Sequence, residues 1–186
     1  YAIEQGCDVI TMSMAGLPSK KMAKAVNRAY EAGIVVVSAG GNSWVKGASK
    51  FLPKTLLYPA RYDRVLAAVG AAYNDEPYLH DKHNEKLRYA GAEYMQTCYG
   101  PEANMKTALA AYTPNLIWFD RIEKANDSGE KKYFVKSGGG TSSATPQIAA
   151  AAALYIQKYR KEIDAIAGKD KWKKVELVRK ALFDKA

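Results

Sequence analysis

No apolar stretch in these 186 residues is long enough to cross a bilayer as a helix, so no spanning segment is expected. Cysteine is confined to Cys7 and Cys98, which have no metal-type spacing. They read as two buried thiols, with a disulfide between them left open. Histidine occurs only at His80 and His83, inside the charged stretch 74–89. Their i, i+3 spacing suits a metal on a helix, yet no second ligand cluster accompanies them, and they read as solvated loop residues. The glycine-rich stretches Gly40-Gly41 and Gly138-Gly139-Gly140 show neither Gly-x-Gly-x-x-Gly nor a P-loop lysine. That counts against a nucleotide- or cofactor-binding α/β domain. No charged-apolar-small leader pattern opens the chain, and Tyr1-Ala2-Ile3-Glu4-Gln5 reads as the tail of a helix. There is no internal repeat.

Cations, by contrast, are plentiful. Lys and Arg exceed Asp and Glu by nine, which raises nucleic acid as a partner. The cations are spread along the chain and interleaved with acids, most visibly from Lys158 to Lys185, as on a solvated helix surface. A phosphate-tracking stripe is absent, so no nucleic-acid partner is expected. With 48% hydrophobic residues the chain has material for one core.

Its patterning is that of strand, helix, strand. Asp8 to Met14 is a mostly apolar run between Gly6 and Ala15-Gly16-Leu17-Pro18, read as a buried strand ending in a turn. Met22, Ala25, Val26, Ala29 and Tyr30 recur at helical spacing while Lys20, Lys21, Lys24, Asn27 and Arg28 face away, up to a stop at Gly33. Ile34-Val35-Val36-Val37-Ser38 is then a buried β-branched strand. This unit predicts a right-handed crossover in a parallel sheet covered by helices. Ser43 to Lys54 reads as a surface loop, Val65 to Ala71 as a buried strand, Leu116 to Phe119 and Tyr133 to Val135 as a hairpin, and Trp172 to Leu182 as an amphipathic helix.

Chemistry is concentrated in Gly138-Gly139-Gly140-Thr141-Ser142-Ser143-Ala144-Thr145-Pro146-Gln147, which runs straight into the alanine-rich Ile148 to Ile156. Flexible glycines, a hydroxyl residue and an apolar run describe a turn that delivers Ser142 to the first turn of a buried helix. Pro146 fits there because first-turn N–H groups have no intrahelical acceptor. A serine so placed is either a helix cap or a nucleophile. In an open parallel sheet, ligands gather at the carboxyl ends of strands. Here two strands end in mostly small residues, Ser13-Met14-Ala15-Gly16 and Ser38-Ala39-Gly40-Gly41, followed by Asn42.

Gly140-Thr141-Ser142-Ser143-Ala144-Thr145-Pro146 resembles the Gly-Thr-Ser-x-Ala-x-Pro motif of the subtilisin-like serine peptidases, the subtilases, with Ser142 at the nucleophile. The family follows its proline with His-Val-Ala-Gly; this chain has Gln147-Ile148-Ala149-Ala150. Asp8 to Gly16 resembles Asp-Val-Ile-Asn-Met-Ser-Leu-Gly-Gly, whose end walls the S1 pocket and pairs with an extended substrate. That implies substrate-binding roles for Ser13, Met14, Ala15 and Gly16. Ala39-Gly40-Gly41-Asn42 resembles Ala-Ala-Gly-Asn. The resemblance implies that Asn42 is the oxyanion-hole donor, with Ser142 N–H as the second, and that Ala39, Gly40 and Gly41 line the substrate. Read without the family, Asn42 is an ordinary turn residue. Leu57-Tyr58-Pro59-Ala60-Arg61-Tyr62 leading to Val65–Ala71 resembles Tyr-Pro-x-x-Tyr followed by Val-Ile-Ala-Val-Gly-Ala. It implies a cis Tyr58–Pro59 bond and Leu57 at the floor of a shallow, apolar S1 pocket suited to small or medium uncharged side chains. Tyr99-Gly100-Pro101 and Ala108 to Pro114 resemble the family's Gly-Pro and Ala-Pro-Gly passages, with Asn115 in place of the glycine.

The resemblance covers nearly the whole chain. It implies an α/β fold of three layers, a mostly parallel sheet with helices on both faces, with N-terminal strands missing, so that 1–186 is the C-terminal portion of one catalytic domain. It also implies polypeptide substrates and a place outside the cell or in its envelope. No cofactor is expected; calcium is compatible with the family, but no site is assigned. Subtilases carry their triad in the order Asp, His, Ser, the first two in Asp-Thr/Ser-Gly and His-Gly-Thr-His motifs, and neither motif occurs here. Without a base the serine hydroxyl is a poor nucleophile, so the chain is expected not to hydrolyse peptides at a useful rate alone. The alternative is a non-catalytic subtilase-like scaffold or interaction domain. Missing strands are further expected to leave a sheet edge and apolar helix faces that favour self-association.

Overall fold

The computed structural model describes residues 1–44, 54–72, 74–78, 95–113, 116–121 and 133–184. Strand β1 (Val9–Met12), helix α1 (Lys20–Glu31) and strand β2 (Val35–Ala39) form the expected unit, with β1 and β2 parallel. Helix α1 starts where the Ser19 side chain accepts from Met22 N–H and ends in a Schellman turn, Ile34 N–H reaching Ala29 C=O at Gly33. The opening residues close in the same way. Cys7 N–H donates to Ala2 C=O and Gly6 N–H to Ile3 C=O, as at a helix C-terminus.

Among the described residues, strands β4 (Leu66–Ala71) and β6 (Ala108–Tyr112) complete a four-stranded parallel sheet in the order β1-β2-β4-β6. Two antiparallel pairs stand beside it. Strand β3 (Asn42–Trp44) pairs with β5 (Met95–Thr97), and β7 (Leu116–Arg121) with β8 (Tyr133–Gly138). The second pair is the expected hairpin. The first corrects the reading of Ser43 onward as surface loop: Ser43 is buried and accepts a hydrogen bond from Gln96 Nε2, because β5 arrives from outside the local sequence to pair with it. Most of that stretch, 45–53, lies outside the described residues, as do His80 and His83.

Helix α2 (Thr141–Lys158) crosses one face of the sheet, with α3 (Arg160–Ala167) and α4 (Trp172–Phe183) behind it. Ala144, Ile148, Ala149, Ala152 and Ile156 pack on Val35, Val37, Leu66, Ala68 and Leu109. The three alanines among them let the helix axis lie close to the strands. On the opposite face Val26 and Ala29 of α1 pack on Ile34, Val36 and Val65. Helices therefore cover both faces, and fully burying each Val or Ile contributes about 1.5–3 kcal/mol.

Two readings need correction. Strand β1 is only half-buried, since it is the sheet's edge, and α2 is not buried all round: Leu154 is 64% exposed, beside exposed Ala150, Ala151 and Ala153. The amphipathic helix expected from Trp172 is α4; it is separated from α3 at Gly168, where φ is 54°, and Ile163, Val175 and Val178 join the same core as α2. Among the described residues no helix is long and apolar enough to cross a membrane.

Candidate active site

The carboxyl ends of β1, β2 and β6 converge on the amino end of α2, which carries no acidic side chain in its first turn. Gly140 caps that helix with φ 82° and ψ 177°, a region essentially reserved for glycine, and turns the chain sharply from β8 into the helix. Ser142 follows as the second helical residue and is exposed. Its N–H therefore precedes the helical ladder and faces the positive end of the helix dipole.

Asn42 leaves β2 through Gly41 and meets this turn directly. Its Oδ1 accepts from Thr141 N–H at 2.9 Å and from Thr141 Oγ1 at 3.0 Å. Thr141 is fully buried, and its Oγ1 also accepts from Gly41 N–H at 3.2 Å. With the carbonyl end of the carboxamide engaged twice, the NH₂ end is the one left to donate elsewhere. Asn42 is thus fastened to the residue that precedes Ser142 in the chain.

Ser13 approaches from β1. Its Oγ donates to Ser142 C=O at 2.9 Å, while Ser142 Oγ reaches Ser13 C=O at 3.5 Å. Buried Ser38 steadies that approach, its Oγ lying 3.3 Å from Met12 C=O and 3.2 Å from Met14 C=O. Among the described residues no histidine, lysine or carboxylate contacts Ser142 Oγ.

The other sequence candidates fall into two sets. Met14 and Ala15 are exposed, and Gly16 is engaged in an antiparallel bridge with Tyr58, its N–H donating to Tyr58 C=O at 2.7 Å. Met14, Ala15, Gly16, Met22, Tyr58 and Pro59 border a mostly apolar cavity of about 260 Å³. Ala39 and Gly40 are buried, and both backbone polar groups of Gly40 are occupied, by Ala68 C=O and Leu57 N–H. Leu57 lies against Gly41: a Cβ added there would come within 2.8 Å of Leu57 Cδ1, so only glycine lets that side chain sit so close. The Tyr58–Pro59 bond is cis as expected; Gly100–Pro101, where no cis bond was expected, is cis as well. Thr141, Ser38 and Thr113 were missed as site residues. Their signal was a hydroxyl residue at a strand end or directly before the candidate serine, where a buried oxygen has backbone to bind. Among the described residues no group of three His, Cys, Asp or Glu side chains is placed to hold a metal ion.

The chain is similar to several known proteins. Subtilisin DY of Bacillus licheniformis is 35% identical over 161 residues, which is 86% of this chain and 46% of that protein. Subtilisin E of Bacillus subtilis (strain 168) is 28% identical over 160 residues, 86% of this chain and 33% of that one. Among solved structures, the self-cleaved protease domain of PatA matches with a TM-score of 0.59 at 19% identity, covering 87% of this chain and 49% of its own. The prenylagaramide maturation protease PagA matches at 0.56 and 19%, covering 87% and 48%. The fold is thus subtilisin-like, and the chain spans about half or less of the length of these relatives. The Subtilase family model matches residues 1–186, the whole length, and the chain belongs to that family.

Proposed function

We propose that this chain carries the nucleophile and oxyanion side of a serine endopeptidase site, as the C-terminal portion of one catalytic domain whose acid and base reside elsewhere in the parent protein. Ser142 Oγ is the nucleophile. Once a base takes its proton, Oγ adds to the peptide carbonyl carbon, and the carbonyl oxygen becomes an anion. Asn42 Nδ2 and Ser142 N–H receive that anion. The leaving amine departs with the proton, leaving an acyl-enzyme for water to hydrolyse. The single observation that carries this reading is the double hydrogen bond from Thr141 to Asn42 Oδ1, which orients the carboxamide beside Ser142 before any substrate arrives.

The Ser13–Gly16 edge and the Gly40-Gly41 segment flank an extended polypeptide, with Leu57 below it favouring small or medium uncharged side chains. The chemistry needs no cofactor. Placement outside the cell or in its envelope belongs to the same proposal, and fractionation of the producing cells checks it.

Two experiments test the reading. The isolated chain is expected neither to cleave peptides usefully nor to react with a fluorophosphonate at the rate of an active serine peptidase; rapid labelling of Ser142 overturns the need for an outside base. The gene region encoding residues upstream of Tyr1 is expected to carry the Asp-Thr/Ser-Gly and His-Gly-Thr-His motifs. Their loss there favours the scaffold reading instead.

The edge position of β1 and the exposed Ala150, Ala151, Ala153 and Leu154 support self-association of the chain when isolated. Light scattering that finds only monomer counts against it.

A further inference from the structure

The end of β6 grips the segment carrying Ser142 on both sides. Thr113, 1% exposed, directly follows β6 and donates its N–H to Ala71 C=O at 2.8 Å. Its methyl fills the space over Gly70, where an added Cβ would lie 2.4 Å from Thr113 Cγ2. With the methyl so placed, the hydroxyl oxygen accepts from Gly140 N–H at 2.5 Å, two residues before Ser142. From the other side, Gln147 Nε2 donates to Tyr112 C=O at 3.0 Å and to Ser143 C=O at 2.9 Å. Ser143 N–H in turn donates to Gly140 C=O at 3.0 Å, closing the loop around Ser142. Both gripping side chains stand where the sequence leaves the pattern it resembles: threonine in the place of the alanine of Ala-Pro-Gly, glutamine in the place of the histidine after the motif's proline.

We propose that Thr113 and Gln147 are paired positioning residues that clamp the Gly140–Ser143 segment to β6 and so hold Ser142 in register with Asn42. The inference rests on the peptidase reading for its purpose but not for its test. A buried donor that loses its acceptor is costly, and a shift of about 1 Å in a reacting group can lower a rate about 100-fold. The clamp therefore acts on the Thr141–Asn42 bond, whose Thr141 N–H reports whether the turn is in place.

Native-state amide exchange of the full 186-residue chain reads that bond, with Val35 to Val37 of β2 as the internal reference. Thr113→Val, which keeps the methyl and removes the hydroxyl, is expected to speed Thr141 exchange at least tenfold while the β2 amides stay unchanged. Thr113→Ser, which restores the hydroxyl, is expected to return it to within about threefold of the parent. If Thr113→Val does not fold, the half-buried Gln147→Ala carries the test with the same tenfold expectation. Thr141 exchange unchanged in both variants, or β2 amides accelerating by the same factor, overturns the proposal. A failure of the peptidase reading shows separately, as missing Asp and His motifs upstream of Tyr1, and leaves these exchange rates as they are.

Discussion

Removing the carboxylate of Asp8 is expected to destabilise the chain in a way that depends on pH. Asp8 immediately precedes β1 and receives a bidentate Arg160 guanidinium, at 3.2 and 2.6 Å, together with the Lys174 ammonium. It joins the sheet's edge strand to α3 and α4, two helices that the local sequence does not bring near it. The Arg160 hydrogen bonds, and then Lys174, outweigh partial burial and hold its carboxyl at about 2, against 3.8 for a free side chain. Because the folded value is the lower one, the unfolded chain binds the proton more readily. The contribution is therefore complete above about pH 4 and is lost as pH falls through about 2. At 1.36 kcal/mol per pH unit the shift corresponds to about 2 kcal/mol at neutral pH. Arg160 is 49% exposed, so solvent screening lowers the realised value to about 1–2 kcal/mol. In a chain of this length that is a fall of a few degrees in Tm. Urea unfolding of the parent and of Asp8→Asn at pH 7, 4, 3 and 2 measures the gap. It should be near full at pH 7 and 4, smaller at pH 3 and well under 1 kcal/mol at pH 2. A gap that is constant with pH refutes the ionic origin, and a gap that widens on acidification refutes the sign.

Asn42→Ala in a catalytically complete parent protein should lower turnover by about 10²–10³ with little change in KM, the magnitude found when such a donor is removed from subtilisin itself; steady-state kinetics on a peptide substrate decide it, and unchanged turnover removes Asn42 from the oxyanion hole. Gly33→Ala should destabilise the chain by more than about 1 kcal/mol by denaturant titration, since φ there is +79° and the new Cβ would lie 2.7 Å from Lys171 C=O; a neutral result means the α3–α4 connection yields freely. Cys98 is fully buried, and burial pushes its thiol up to about 11, so the native chain should show at most one fast-reacting thiol with an aromatic disulfide reagent at pH 8, the second appearing on unfolding. Two fast thiols in the native state contradict that burial.

The core unit was legible because its signals are local. The period of Met22, Ala25, Val26, Ala29 and Tyr30, the stop at Gly33 and the β-branched run after it needed nothing beyond neighbouring residues, and β1-α1-β2 stands where they put it. The turn at Ser142 was legible for the same reason, glycines and a hydroxyl residue ahead of an apolar run, but Pro146 lies inside α2 and not in its first turn as expected: its missing N–H leaves Ser142 C=O to accept from Ser13 Oγ. What escaped was every pairing whose partner lies far along the chain. Ser43 looked like loop because β5 is more than fifty residues away, and β1 looked fully buried because nothing local shows that no described strand lies on its outer side.

The site divides along the same line. Residue types and their spacing alone established that a serine would stand at a helix start and an asparagine after a strand end, and the resemblance assigned them a chemistry. Only the folded chain brought Thr141 to Asn42 Oδ1, Ser38 under the Ser13 segment, and Thr113 and Gln147 to either side of Ser142. Hydrophobic period and turn stereochemistry are properties of adjacent residues and survive in one dimension. A hydrogen bond between residues 99 apart depends on sheet order and strand length, which arise only when the core closes.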